Sequence, residues 1–178
     1  MSTPKAPDMA KLIIGFFTND RSIIDGLIKK LTFFFGSVER KSDWMPFDYT
    51  TYYQKEMGEE LYRKLLSFVQ LIPQEELALI KLKTSEIEKY YENQGSRRVN
   101  IDPGYLLSER FVLATGKNYS HRIYIGHGIY ADLTLLYTQG KFMSLPWTYP
   151  DYQGEAIQRF LLLVREDYIQ SNRTKKDK

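Results

Sequence analysis

A chain of 178 residues, 43% of them hydrophobic, has the size of one ordinary domain and enough apolar side chains for a core of its own. It contains no cysteine, which excludes disulfides, thiolate catalysis and cysteine-based zinc sites. It also has no apolar run near the roughly 20 residues that span a bilayer. The net charge of +3 sits in the last six residues, where Arg173, Lys175, Lys176 and Lys178 stand against Asp177, so the rest of the chain sums to zero and gives no electrostatic case for nucleic acid.

Residues 1–10 carry Pro4 and Pro7 and no apolar stretch, so they read as a disordered start and not a signal peptide. Residues 11–170 read as a single α+β domain, and 171–178 as a basic disordered tail. A cytoplasmic location is expected.

Lys11 to Thr18 reads as a buried strand. Asn19 or Asp20 caps the helix that follows, because a short side-chain oxygen accepts from the free N–H groups of a first helical turn. Ile23, Ile24, Leu27, Ile28 and Leu31 recur at helical spacing, and Gly36 closes that helix. Ser37 to Asp43 reads as a second strand, and Trp44 to Gly58 as an ordered loop rich in aromatic and acidic residues. Leu61 to Ile72 reads as a strand entering a helix. Pro73 suits a first helical position. Leu77, Ile80, Thr84, Ile87 and Tyr91 then form a stripe, with Ser85 and Glu88 matching a capping box where the helix restarts. The order strand, helix, strand, strand, helix, strand implies a ferredoxin-like or split βαβ N-terminal part.

The second half alternates. Ile123, Ile125, Ile129, Ala131, Leu133 and Leu135 share one parity, which implies an apolar face of a β-meander. Keeping Ile125 opposite Ile129 requires a three-residue loop, Gly126-His127-Gly128. The same logic places Tyr137 opposite Lys141 around Thr138-Gln139-Gly140, and Leu135 opposite Met143. Arg122 then faces Asp132, and Tyr124 faces Tyr130, on the non-core face. Glu155 to Tyr168 reads as a C-terminal helix with Ile157, Phe160, Leu161 and Val164 on one side.

Chemistry-bearing residues crowd between Arg97 and Tyr152. His127 sits at a hairpin tip between glycines, a place for an acid, a base or a metal ligand. His121 shares parity with Ile123 and points inward. Asn100 and Asp102 lie two apart on an extended segment and face one way, ahead of Pro103-Gly104, which fits the centre of a type II turn. Asp102 is a candidate base with Asn100 positioning. Arg97, Arg98, Arg110, Lys117 and Arg122 are five cations within 26 residues and would form an anion site if they converge. Any metal would use His121, His127, Asp102 or Asp132, although no recognised ligand spacing occurs. The aromatic segments 48–53 and 147–152 offer rings for stacking on a planar ligand. No phosphate-loop, dinucleotide or nucleophile-elbow motif is present.

Several of these strings resemble one family. Arg98-Val99-Asn100-Ile101-Asp102-Pro103-Gly104-Tyr105, His121-Arg122-Ile123-Tyr124 and Trp147-Thr148-Tyr149-Pro150-Asp151-Tyr152 carry the resemblance. Phe47-Asp48, Tyr52-Tyr53, Glu56-Met57-Gly58, Lys81-Leu82 and Thr84 extend it from about Lys11 to Tyr168. The chain is similar to an uncharacterised bacterial family, domain of unknown function 4416, and departs from its pattern at Ser85 and Gly116. The resemblance implies no catalytic residues. Members are often labelled GTP-binding proteins, yet every phosphate-loop feature is missing here.

The expectation is a cytosolic α+β protein with a polar cleft for a phosphorylated or anionic small molecule, a nucleotide among them, with enzymatic action on it left open. Arg98, Lys117 and Arg122 would hold the anion, with Asn100 and Asp132 beside it and Asp102 and His127 as the acid–base pair. The alternatives are an RNA-binding module using the aromatic loops and basic tail, or an assembly protein that forms a homo-oligomer. No membrane partner is expected, and neither a cofactor nor a metal is specified.

Overall fold

The structure is a computed structural model that describes residues 2–176, with side chains through position 173. Nine strands form one antiparallel sheet. They are β1 (Ala10–Thr18), β2 (Val38–Lys41), β3 (Met45–Pro46), β4 (Tyr62–Ile72), β5 (Asn100–Leu106), β6 (Arg110–Thr115), β7 (Arg122–Gly126), β8 (Ile129–Thr138) and β9 (Lys141–Ser144). The helices are α1 (Ile24–Phe35), α2 (Gln54–Met57), α3 (Leu77–Tyr90) and α4 (Glu155–Lys176).

The sheet order is β2-β4-β1-β5-β6-β8-β7, with β3 on β4 and β9 on β8. Its first four members, with α1 after β1 and α3 after β4, are the expected split βαβ arrangement. The antiparallel second half extends the same sheet. β1 lies inside it between β4 and β5 and is buried along its whole length. Leu12, Ile14 and Phe16 of β1 join Leu27 and Leu31 of α1, Leu77 and Ile87 of α3, and Leu161 and Val164 of α4 in one core. A smaller cluster of Phe17, Phe47, Met57 and Leu61 lies under α2. Among the described residues no helix is long and apolar enough to cross a membrane.

Local signals at the first helix act as expected. The Asp20 side chain accepts from Ser22 N–H at 2.9 Å, and Gly36 ends α1 at φ +89°. Several expectations are corrected. Leu61 to Ile72 enters no helix: it is the long strand β4, paired to β1 and to the short edge strands. α3 is continuous, because Ser85 donates to the Lys81 carbonyl inside the helix and does not cap a new one. α4 passes Tyr168 and continues to Lys176.

Both hairpins turn more tightly than the alternation implied. The pairs Gly126↔Ile129 and Thr138↔Lys141 leave two-residue loops, His127-Gly128 and Gln139-Gly140, with positive φ at all four positions. Such turns match the strand twist better than a three-residue loop does. In the first hairpin a bulge after Tyr124 restores the expected register, so Arg122 faces Asp132 and Tyr124 faces Tyr130. In the second, nothing compensates: Leu135 pairs with Ser144, and Phe142 takes the buried place expected for Met143.

The burial of the meander faces is also reversed in part. Ile123 is 72% exposed on edge strand β7, whereas Asp132 and Thr134 are buried. The strand β6, which the alternation did not reveal, pairs with β8 and makes it an interior strand of the sheet.

The segment expected to turn at Pro103-Gly104 runs straight through as β5. Gly104 is required there, since a Cβ would sit 2.5 Å from the Val112 carbonyl oxygen across the ladder. β5 pairs with β1 from Asn100 to Leu106, but with β6 only from Gly104 to Leu106. Beyond that point Glu88 of α3 accepts the Ile101 N–H, and Lys81 donates to the Ile101 carbonyl at 2.7 Å. The backbone groups of alternate strand residues point the same way, so the Pro103 nitrogen also faces β6. With no N–H to donate, it stops that ladder. β5 and β6 diverge from there.

Candidate functional site

The divergence of β5 and β6 opens a cleft of about 660 Å³. One wall is the start of β5, carrying Asn100 and Asp102. Opposite are the end of β6 and its following turn, with Thr115, Gly116 and Lys117. The aromatic segment expected between Trp44 and Gly58 supplies Phe47, Tyr49, Tyr52 and Tyr53, and the stretch before α4 supplies Tyr149, Asp151 and Tyr152.

A chain of polar contacts runs along the β5 wall. Arg97 binds Glu56 of α2 through Nε at 2.8 Å and donates to Asn100 Oδ1 at 3.1 Å. Asn100 Nδ2 donates to Asp102 Oδ1 at 3.0 Å. Asp102 Oδ2 in turn meets Arg63 Nη2 at 3.1 Å, and Arg63 Nη1 meets Asp151. Arg63 lies on β4 and is 4% exposed, packed between the rings of Phe17, Phe47 and Tyr152. Burial opposes its charge, yet Tyr152, Asp151 and Asp102 around it leave its pKa raised. Among the described residues the Arg63 Nε and the Tyr152 hydroxyl have no hydrogen-bond partner.

Burial shifts the neighbouring acids upward. Glu88 holds its proton above the ordinary carboxylate range because it is desolvated, despite Lys81 nearby. Asp151 is raised for the same reason, against the pull of Arg63. Burial, helped by the Asp102 charge, lifts the Tyr53 hydroxyl to about 12. Arg97 does the opposite to Glu56, holding it below its usual value.

The residues expected at a site separate into three groups. Asn100, Asp102, Lys117 and Asp132 line the cleft. Arg122 stands just behind it with its donors taken: Nε to Asp132 at 2.9 Å, Nη1 to the Lys117 carbonyl at 2.9 Å, and Nη2 to the Tyr149 hydroxyl. The five cations do not converge. Arg98 pairs with Asp20, Arg110 with Glu109 and Gln74, and neither lines the cleft. His127 is exposed at its hairpin tip with φ +55° and does not line the cleft either. His121 packs flat on Trp147, rings 4.9 Å apart, with Nε2 3.2 Å from Asp132. No group of three or more His, Asp or Glu side chains among the described residues is placed to hold a metal.

Sequence reasoning missed Arg63, Glu88 and Lys81 as cleft residues, whereas Tyr152 lies in the aromatic segment expected to offer rings. Arg63 falls within a strand otherwise rich in apolar residues, and an arginine there is itself a signal, since such a charge is rarely fully buried unpaired. Ser85 and Gly116 both line the cleft.

Known proteins add a family and little else. Neither a curated protein nor a solved structure matches the chain. A family model, Domain of unknown function (DUF4416), matches residues 8–168. That span includes every strand of the sheet and the whole cleft lining, and the chain belongs to this family.

Proposed function

We propose that the cleft binds a phosphorylated or otherwise anionic small molecule, with nucleotides a class its aromatic wall suits. The observation that carries this reading is Lys117. Its ammonium lies 5.0 Å from the centre of the Tyr52 ring, and among the described residues it has no carboxylate partner. The backbone that bears it is tied down by Arg122. Every other cation lining the cleft has a nearby acid or a backbone carbonyl: Arg63 has Asp102 and Asp151, Arg97 has Glu56, and Lys81 has the Ile101 carbonyl. An unpaired ammonium in a partly enclosed pocket is a point charge suited to phosphate. Tyr52, Tyr53 and Tyr149 supply planar surface beside it. In this reading Arg122 positions Lys117 and Tyr149, and any proton transfer on the bound molecule falls to Asp102.

Thermal-shift titration with inorganic phosphate, nucleotides and phosphosugars tests the reading. At least one compound should raise the midpoint, and Lys117→Ala should abolish the rise. If no compound does so, or if Lys117→Ala leaves the rise intact, the reading fails.

An RNA-binding module would need a net-positive track. The lining instead balances Arg63, Lys81, Arg97 and Lys117 against Glu88, Asp102, Asp132 and Asp151.

A further inference from the structure

We infer that the molecule bound in the cleft is bipolar, with an anionic group at Lys117 and hydroxyl or amino donors at its other end, held by Asp102. This rests on the anion-binding reading above and says what the rest of that ligand is.

The two walls are the two diverging strands. Gly104 pairs with Leu113, so continuing the ladder two steps sets Asp102 against Thr115, and two more set Asn100 against Lys117. The strands have separated by then, and the cleft occupies the space between them. A ligand lying across it therefore touches a β5 wall and a β6 wall of different chemistry.

On the β5 wall Asp102 is an acceptor. An ionised carboxylate offers about four lone-pair positions. Two are filled, by Asn100 Nδ2 at 3.0 Å and Arg63 Nη2 at 3.1 Å. The Asp102 side chain keeps 27% of its surface exposed, so the remaining positions are reachable from the cleft. An anion beside Asp102 would meet like charge. A hydroxyl or N–H donor there meets an acceptor. On the β6 wall Lys117 favours the reverse. Beneath Asp102, the buried Tyr152 hydroxyl has no hydrogen-bond partner among the described residues. The hydrogen-bonding capacity left open to a ligand on the β5 side is that of Asp102.

Phosphosugars and nucleotides share this chemistry: a phosphate at one end and a hydroxyl-bearing ring beyond it. The test uses the full chain and three probes, namely inorganic phosphate, ribose 5-phosphate and adenosine 5′-monophosphate, measured by calorimetry. Ribose 5-phosphate should bind about tenfold or more tighter than inorganic phosphate, the scale of one hydrogen bond to a charged group. Asp102→Asn should erase that advantage while leaving the affinity for inorganic phosphate within about twofold. Asp102→Glu keeps the negative partner for Arg63, so it serves if the Asn variant fails to fold. It should lose the same advantage, because its carboxylate is displaced. Lys117→Ala should weaken all three probes. A further gain with adenosine 5′-monophosphate supports a nucleotide as the source of the hydroxyls, and equal affinity supports a phosphosugar. If both Asp102 variants preserve the advantage, or lower phosphate and ribose 5-phosphate equally, the assignment of Asp102 is overturned while the anion reading stands. If no probe binds the wild-type chain, both readings fall together.

Discussion

Arg63 on β4 meets Asp102 on β5 at 3.1 Å and, through its other terminal nitrogen, Asp151 in the turn before α4. One buried guanidinium thus ties two strands and the C-terminal segment together under the cleft. Removing it would leave two carboxylates facing each other in a site walled by Phe17, Phe47 and Tyr152. Arg63→Met should lower the unfolding free energy by about 3–5 kcal/mol, the usual cost of breaking a buried pair from one side. Urea denaturation measures it, and a loss below about 1 kcal/mol would show that Arg63 is not what holds these segments.

Gly104 allows β5 and β6 to touch. A methyl group there would meet the Val112 carbonyl at 2.5 Å, a backbone atom that cannot swing away. Gly104→Ala should therefore cost about 1–3 kcal/mol through overpacking. It should also perturb any ligand affinity, since it alters the point where the cleft begins. Amide exchange at Leu113 and neighbouring residues should quicken in the variant, and unchanged protection would contradict the close approach.

Glu88 gives a pH dependence with a definite sign. Burial raises its pKa above the ordinary 4.5. The folded chain thus binds this proton more tightly than the unfolded chain does. Its contribution to stability is complete below 4.5 and is lost as pH rises through the raised folded value. Asp20 and Glu56 act oppositely, because Ser22 with Arg98 and Arg97 respectively lower them, and their contribution is lost as pH falls. Glu88→Gln should remove the first effect only, leaving a variant whose midpoint no longer declines relative to wild type between acid and neutral pH. A constant difference between the two curves across that range would refute it.

His127 occupies a left-handed position at the tip of the β7–β8 turn. A side chain there costs about 1 kcal/mol relative to glycine. His127→Gly should raise the melting temperature slightly and leave every ligand affinity unchanged. A measurable loss of binding would return His127 to the site.

The split βαβ half was legible because its signals are local and strong. The β1 run, the Asp20 cap, the Gly36 stop and the α3 stripe each announce one element. The meander misled where packing overrode alternation. Ile123 has the parity of a core residue, but β7 is an edge and nothing covers that face. Phe142 rather than Met143 points inward because the Gln139-Gly140 turn spans two residues, which the pattern alone does not fix. Half of the candidate site followed from simple geometry: Asn100 and Asp102 share a face because they are two apart on a strand. Arg63 and Glu88 did not, because they approach from distant elements and only the sheet order brings them to β5.

Pro103 ends one ladder and so divides the molecule's tasks. From Gly104 to Leu106 the sheet is continuous, and those pairs fasten β5 to β6 along the seam. On the other side of Pro103, at Ile101, α3 side chains stand in for the missing neighbour. The width of the gap is therefore set by how many pairs this short zip contains, three in this chain.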